Sequence, residues 1–325
     1  MQNCSGAVAR HQAAVGHIGA VGENLSGAGQ AQLFGGGFLR LGGSAEQRSE
    51  LVSGVADGSV KLAFAHTERN SRFDLVRVET TARKDGDGWV LSGSKSVVLH
   101  GDCADRIFVT ARTGGEADDE TGIGIFLVDA NAEGVSRRGY ATQDGLRAAE
   151  LTLENVRVPA EAVYGDPSDA LPLVRRVVDQ AIAALSAEAV GVMSAMHALT
   201  VDYMKVRKQF GVPIGAFQVL QHKAVDMYVA IEQARSITLY ATMMADSDDA
   251  AERAKAMHAA KAEIGRGGRL VGENAIQIHG GVGMTMEYAV GHYFKRMTMI
   301  DVAFGNTDHH MRALARAGGL FSAAA

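Results

Sequence analysis

Cysteine is nearly absent from this 325-residue chain, which has only Cys4 and Cys103. Two such thiols offer neither a disulfide framework nor a metal-ligand spacing, so a reducing cytoplasm is the expected setting. Proline is scarce, at 4, whereas glycine is abundant, at 39, and clusters at 35–37, 42–43 and 280–283 without a repeat period. We find no run of about 18 apolar residues, so no membrane-spanning helix is expected. The start lacks the basic-then-apolar order of a signal peptide. There is no excess of positive charge: the net charge is −5, which gives no footprint for nucleic acid or a membrane. Hydrophobic residues make up 47% and charged residues 21%, enough for a packed core in two or three domains or one large multi-layer unit. Residues 1–34 are rich in Ala and Gly and support at most a loose helix with little to bury.

From about residue 61 to 159 the texture is that of strands. "VRVETTARKDGDGWVLSG" places two β-rich runs around Asp85-Gly86-Asp87-Gly88, a hairpin signal. "RIFVTART" (106–113), "GIGIFLVD" (122–129) and "AAELTLENVRVP" (148–159) follow at short spacing and suggest a small antiparallel barrel or sandwich. After "YGDPSD" the period changes. Val174, Val177, Val178, Ala181, Leu185 and Val192 recur at helical spacing, as do Leu220, Ala224, Met227, Ile231, Ala234 and Ile237. A third long helix with an acidic start follows from Asp248. Helices joined by short turns read as an antiparallel bundle with methionine as core filler.

Two stretches of the helical half are too polar and glycine-rich for plain core. In "VRKQFGVPIGAFQVLQHK", Arg207 ends one helix beside a turn and the next helix start. That arrangement suits a cation cap, or a phosphate held by a guanidinium. In "NAIQIHGGVGMTMEY", Gly280-Gly281-x-Gly283 lets a backbone approach a ligand closely. Near the C-terminus, "DVAFGNTDHH" contains an acid and two histidines. Adjacent histidines on a helix diverge by about 100°, so no metal site is expected there. Thr307 or Asn306 is expected to cap a last helix.

In this order, the two stretches resemble the C-terminal signatures of the acyl-CoA dehydrogenase family, R-K-x-F-G-x-P-[IL]-x-x-x-Q and Q-x-x-G-G-x-G-x-x-x-E-Y. "GGSAEQR" (42–48), "AFAHTE" (63–68) and "WVLSGSKSVVLHGDCAD" (89–105) are also similar to the family. The resemblance runs from about residue 35 to the end. It implies an α+β multidomain fold: a truncated N-terminal helical part (1–58), a middle antiparallel β domain (59–162) and a C-terminal four-helix bundle (163–325). It implies FAD, an acyl-CoA substrate and an electron-transfer flavoprotein as acceptor. Within the family the stretch is most similar to small subunits of pimeloyl-CoA dehydrogenases, which implies a dicarboxylic acyl-CoA and a larger partner subunit.

Family members grip each FAD with two chains. The set lent to a neighbour maps onto Arg207, Gln209, Phe210, Ile214, Phe217, Gln277, Gly280 and Gly281, and Thr307 matches a threonine that faces the flavin. The chain's own flavin set is altered. The T-E-P-G-A-G-S-D loop reads "TERNSRFD" (67–74), and the W-I-T at the ring reads Val97-Val98-Leu99. The family's glutamate base falls on Gly305, and an alternative base position near Ala181 is also empty. The catalytic base is therefore unassigned, with Glu188 and Asp301 as candidates for a relocated one, and His279 either a core histidine or a cofactor contact. Loss of the chain's own set with retention of the lent set implies a hetero-oligomer in which a larger subunit does the chemistry. The alternatives are a self-sufficient dehydrogenase with a relocated base, and a flavin-free binding protein on the same fold.

Overall fold

The computed structural model describes residues 27–320. The expectation for residues 1–34 falls largely outside them. The described chain divides into two compact units, 27–181 and 182–320.

The first unit opens with helices α1 (Gly27–Gly42) and α2 (Ala45–Asp57). Ser44 and Gln47 close a reciprocal capping box at the start of α2, and Gly58 ends the helix in the left-handed conformation. An eight-stranded sheet follows: β1 (Leu62–Ala65), β2 (Thr81–Asp85), β3 (Gly88–Leu99), β4 (Arg106–Arg112), β5 (Ile123–Asp129), β6 (Val135–Ala141), β7 (Arg147–Val158) and β8 (Val163–Tyr164). The order is β6-β7-β3-β2-β4-β5-β8, with β1 beside β4. Asp85 pairs with Gly88 across a two-residue turn, with Gly86 at φ +60°, so the hairpin forms where the Asp-Gly pair indicated. The sheet departs from a purely antiparallel one, because β1 runs parallel to β4 over four residues and β2 meets β4 in parallel at Thr81 and Arg112. Its core includes Leu91, Val98, Ile107, Val109, Phe126, Val128, Leu151 and Val156, the inward residues of β3, β4, β5 and β7.

Helix α3 (Leu171–Val206) begins in the first unit and continues into the second. It is followed by a small hairpin, β9 (Lys208–Gln209) and β10 (Val212–Pro213), then by α4 (Gln218–Met244), α5 (Ala250–His279), α6 (Ala289–Val302) and α7 (Thr307–Arg316). One buried cluster draws Val192, Met193 and Met196 from α3, Met227 and Ile231 from α4, Ile264 and Val271 from α5, and Met297 and Ile300 from α6. Met193, Met196, Met227 and Met297 thus pack in the core as methionine filler, whereas Met243, also read as filler, is 78% exposed. Contrary to the sequence expectation, α3 is long and apolar enough to cross a membrane by length and composition; half of the qualifying window is buried within the protein.

Helix α5 starts on Asp249, whose carboxylate accepts from the backbone N–H groups of Ala251 and Glu252 at 3.0 and 3.1 Å. Removing this cap with Asp249→Ala is expected to destabilise the protein by about 1 kcal/mol, read as a lower urea midpoint at unchanged slope.

Candidate flavin and acyl-CoA site

The residues matched to the R-K-x-F signature gather at the end of α3. The Arg207 N–H donates to the Tyr203 carbonyl, and the Arg207 carbonyl accepts from Ile214 N at 2.8 Å, closing the β9–β10 hairpin at its base. Phe210 sits at the tip at φ +55°, followed by Gly211 at +83°. That geometry holds the Phe210 ring 92% exposed, edge-on to Phe217 at 6.1 Å. The Arg207 side chain is exposed and makes no hydrogen bond or ion pair among the described residues. Gln209 is exposed too. Ile214 differs from the expectation: its side chain is buried in the bundle core, so it supports the turn from beneath.

Tyr203, one helical turn before Arg207, stacks on His279 with centroids 4.5 Å apart. The contact brings the end of α5 to the Arg207 turn. Gln277 is exposed there, and Gly280, at φ +62°, and Gly281 have no heavy atom within 4 Å of where a Cβ would stand. Their backbone is open to a ligand. His279 itself is a core histidine. It is buried, its Nδ1 lies 2.8 Å from the Ala275 carbonyl, and burial holds it below the ordinary histidine range.

Thr307 lies elsewhere. It packs against Gly265, twelve residues before Gln277, or about 18 Å along α5. Its hydroxyl and N–H both donate to Asp301 Oδ1, at 3.0 and 3.2 Å. The structure thus separates Thr307 from the other eight residues and commits its proton to Asp301. Asn306 is the cap of α7, accepting from His309 N at 3.0 Å.

The Gly305 position is closed. Its φ is +116°, and a Cβ there would lie 2.6 Å from His309 Cδ2 and 2.7 Å from His310 Nε2. His310 is buried, with Nε2 3.1 Å from the Phe304 carbonyl and Nδ1 2.9 Å from His258 Nδ1. A carbonyl only accepts, so His310 Nε2 carries its proton and His258 Nδ1–H donates to His310 Nδ1. Burial holds both imidazoles well below the usual range, and the Lys261 ammonium and the neighbouring imidazoles add to this at His310. Lys261, fully buried, donates to the Ile300 and Asp301 carbonyls at the end of α6. Neither candidate for a relocated base is free. Glu188 forms a two-point ion pair with Arg296, at 2.6 and 2.8 Å, with both side chains nearly buried. Asp301 is held by Thr307. Ala181 is fully buried.

In the first unit, the 67–74 loop is built around Glu68. Its carboxylate accepts from Lys95 Nζ at 2.7 Å and from the N–H groups of Glu79 and Thr80 at 2.8 and 3.0 Å. Burial pushes Lys95 down to about 8, against the pull of Glu68. Sequence reasoning quoted both residues within motifs without seeing that they pair across 27 positions. Arg72 keeps a glycine-like φ of +50°. Val97 is half exposed at φ +53°, and its N–H points to Glu150 Oε1 at 3.4 Å. Val97 and Leu99 offer a flavin ring neither an aromatic cover nor a hydroxyl. The second unit thus fits the diphosphate end of an FAD, while the first lacks the ring contacts.

These features recur in known proteins. The model of the acyl-CoA dehydrogenase middle domain matches residues 63–156, and that of the acyl-CoA dehydrogenase C-terminal domain matches 172–319. The chain belongs to the acyl-CoA dehydrogenase family, oxidoreductases acting on CH–CH groups with FAD. It is 31% identical to the probable acyl-CoA dehydrogenase YngJ of Bacillus subtilis (strain 168), over 84% of this chain and 72% of that protein. Among solved structures it is 32% identical to one described as the Tcur3481-Tcur3483 steroid ACAD G363A variant, with a TM-score of 0.78 over 96% of this chain and 84% of that one. It is 25% identical to PigA with FAD and proline, with a TM-score of 0.84 over 91% and 78%.

Proposed function

We propose that this chain is the non-catalytic subunit of a two-component, FAD-dependent acyl-CoA dehydrogenase. It lends the Arg207 turn and the Gln277–Gly281 segment to a flavin whose ring, and whose substrate, are held by a larger partner subunit. The observation that carries this reading is Gly305. Desaturation of an acyl-CoA needs a carboxylate to take the α-proton, while the flavin accepts the β-hydride. Here the position of that carboxylate is a glycine with histidines where its side chain would stand. An open guanidinium, an exposed Phe210 and two unobstructed glycines are what a lent diphosphate site requires. The paired designation Tcur3481-Tcur3483 of the solved steroid relative is in keeping with two components. We propose a dicarboxylic acyl-CoA such as pimeloyl-CoA as the substrate of the complex and an electron-transfer flavoprotein as its acceptor.

Purified alone, the chain is expected to carry no stoichiometric flavin and to leave acyl-CoA esters unchanged. Mixed with its larger subunit, it is expected to raise both flavin content and turnover. A yellow, active preparation of this chain alone would overturn the proposal. In the complex, Arg207→Ala is expected to weaken FAD by about 1.5–3 kcal/mol, or roughly 10- to 150-fold, read as flavin lost on gel filtration. The melting temperature of the isolated chain should not move, because the Arg207 side chain supports nothing in its own fold.

A further inference from the structure

A second charged site lies wholly within the first unit. Strands β6, β7 and β3 run side by side, and Ser136, Thr152 and Ser94 stand directly opposite one another across them. The intervening Lys95 and Leu151 are buried on the inner face, so the three hydroxyls share the outer face. Two residues along, Arg138 stands opposite Glu150 on the same face. Arg69, from the 67–74 loop, completes a hollow of about 570 Å³ over this floor.

Two arginines of this hollow stand without a partner among the described residues, as Arg72 and Arg83 do elsewhere in the unit; what sets the pair apart is that they face one concavity. Arg77, Arg106, Arg147 and Arg157 each pair with a carboxylate. Arg69 and Arg138 form no hydrogen bond or ion pair among the described residues, although Arg138 lies near enough to Glu150 to lower its affinity for a proton. Arg137 also lines the hollow, but its guanidinium donates to the Gly101 and Ala104 carbonyls and to Asn131 Oδ1. Glu150 is the only carboxylate in the lining. It is engaged by the Tyr140 hydroxyl at 3.0 Å, by Ser96 and by Val97 N. Burial and this carboxylate push Tyr140 up to about 12, so its proton stays on the phenol at any working pH. Three guanidiniums against one occupied carboxylate leave the hollow cationic in a chain whose net charge is −5.

The geometry points to a phosphate-binding site, in which Arg69 and Arg138 clamp the oxygens of a diphosphate or phosphate ester over the Ser94–Thr152–Ser136 hydroxyl row. Guanidinium forks match phosphate oxygens in two-point contacts, and hydroxyls donate to the remaining oxygens. None of these residues belongs to the set matched to a neighbour's flavin, although Arg69 lies in the 67–74 loop matched to the chain's own.

Isothermal titration of the purified chain with inorganic pyrophosphate at low salt tests it. Saturable binding is expected. The double variant Arg69→Gln/Arg138→Gln should weaken it at least tenfold, and Glu150→Gln should tighten it several-fold by removing the floor charge. Arg83→Gln, an exposed arginine of β2, should leave it unchanged. ADP and CoA, titrated alongside, separate a free nucleotide from a thioester carrier as the source of the phosphate. Absence of saturable binding, or undiminished binding by the double variant, overturns the site. Binding of pyrophosphate with neither ADP nor CoA means an adventitious ion only, and overturns it as well.

Discussion

Gly305→Glu, which writes the family's base back into its usual position, is expected to create no acyl-CoA desaturation and to destabilise the chain by about 2–6 kcal/mol. Two effects add. A side chain at φ +116° is strained by about 1–3 kcal/mol. Overlap with the His309 and His310 rings adds overpacking of about 1–3 kcal/mol. His310 cannot swing away cheaply, because it is buried and hydrogen-bonded at both ring nitrogens, to Phe304 O and His258 Nδ1. Urea unfolding of Gly305→Ala and Gly305→Glu measures the cost, the alanine variant reporting the backbone and first contact alone. A Gly305→Glu protein with an unchanged midpoint and measurable desaturation would mean the slot is open and only the carboxylate was lost. The distinction matters for function. A vacant position is one substitution from a restored carboxylate, whereas a filled one agrees with the proposed non-catalytic role.

The filled Gly305 position was half legible in the sequence. Gly305 in the place of a glutamate was visible by resemblance. The histidine filling was not, because His258 and His310 are 52 positions apart and nothing local announces the pair. Glu188 looked like a free carboxylate for the same reason, its Arg296 partner lying 108 positions away. The hairpin at Asp85–Gly88 was readable from local turn chemistry. Strand β6 was missed because "VSRRGYA" has no buried residue and no apolar stripe; it is a strand by virtue of pairing with β7 over seven residues. The parallel contact of β1 with β4 spans more than 40 positions, and short-range alternation carries no sign of it. Among the residues matched by the two motifs, Arg207, Phe210, Gly280 and Gly281 are exposed. Ile214 and Thr307 show that matching a motif does not say which way a side chain faces.

Acid should unfold this protein steeply below about pH 6, through the same histidine pair. An ordinary histidine in the unfolded chain takes a proton near pH 6.5. In the fold, burial holds His258 and His310 well below that, and Lys261 and His309 face them as further positive or protonatable groups. Asp301, the carboxylate that faces Lys261, spends its Oδ1 on Thr307. The folded-state pKa values are therefore depressed. The stability tied to the pair is complete above pH 6.5 and is lost as the pH falls, because the unfolded chain binds two protons that the fold refuses. The slope approaches about 1.4 kcal/mol per pH unit for each histidine, or nearly 3 for the pair. Between pH 7 and pH 4.5 the loss reaches about 4–5 kcal/mol, a large share of a typical folding free energy. Lys261, pushed down to about 7 by burial, acts with the same sign at higher pH: its contribution is complete above the unfolded lysine value and declines toward 7. Urea midpoints from pH 8 to pH 4.5 test the acid branch, and His310→Gln is expected to flatten it. A native curve no steeper than that of the variant would show that the pair takes its protons within the fold.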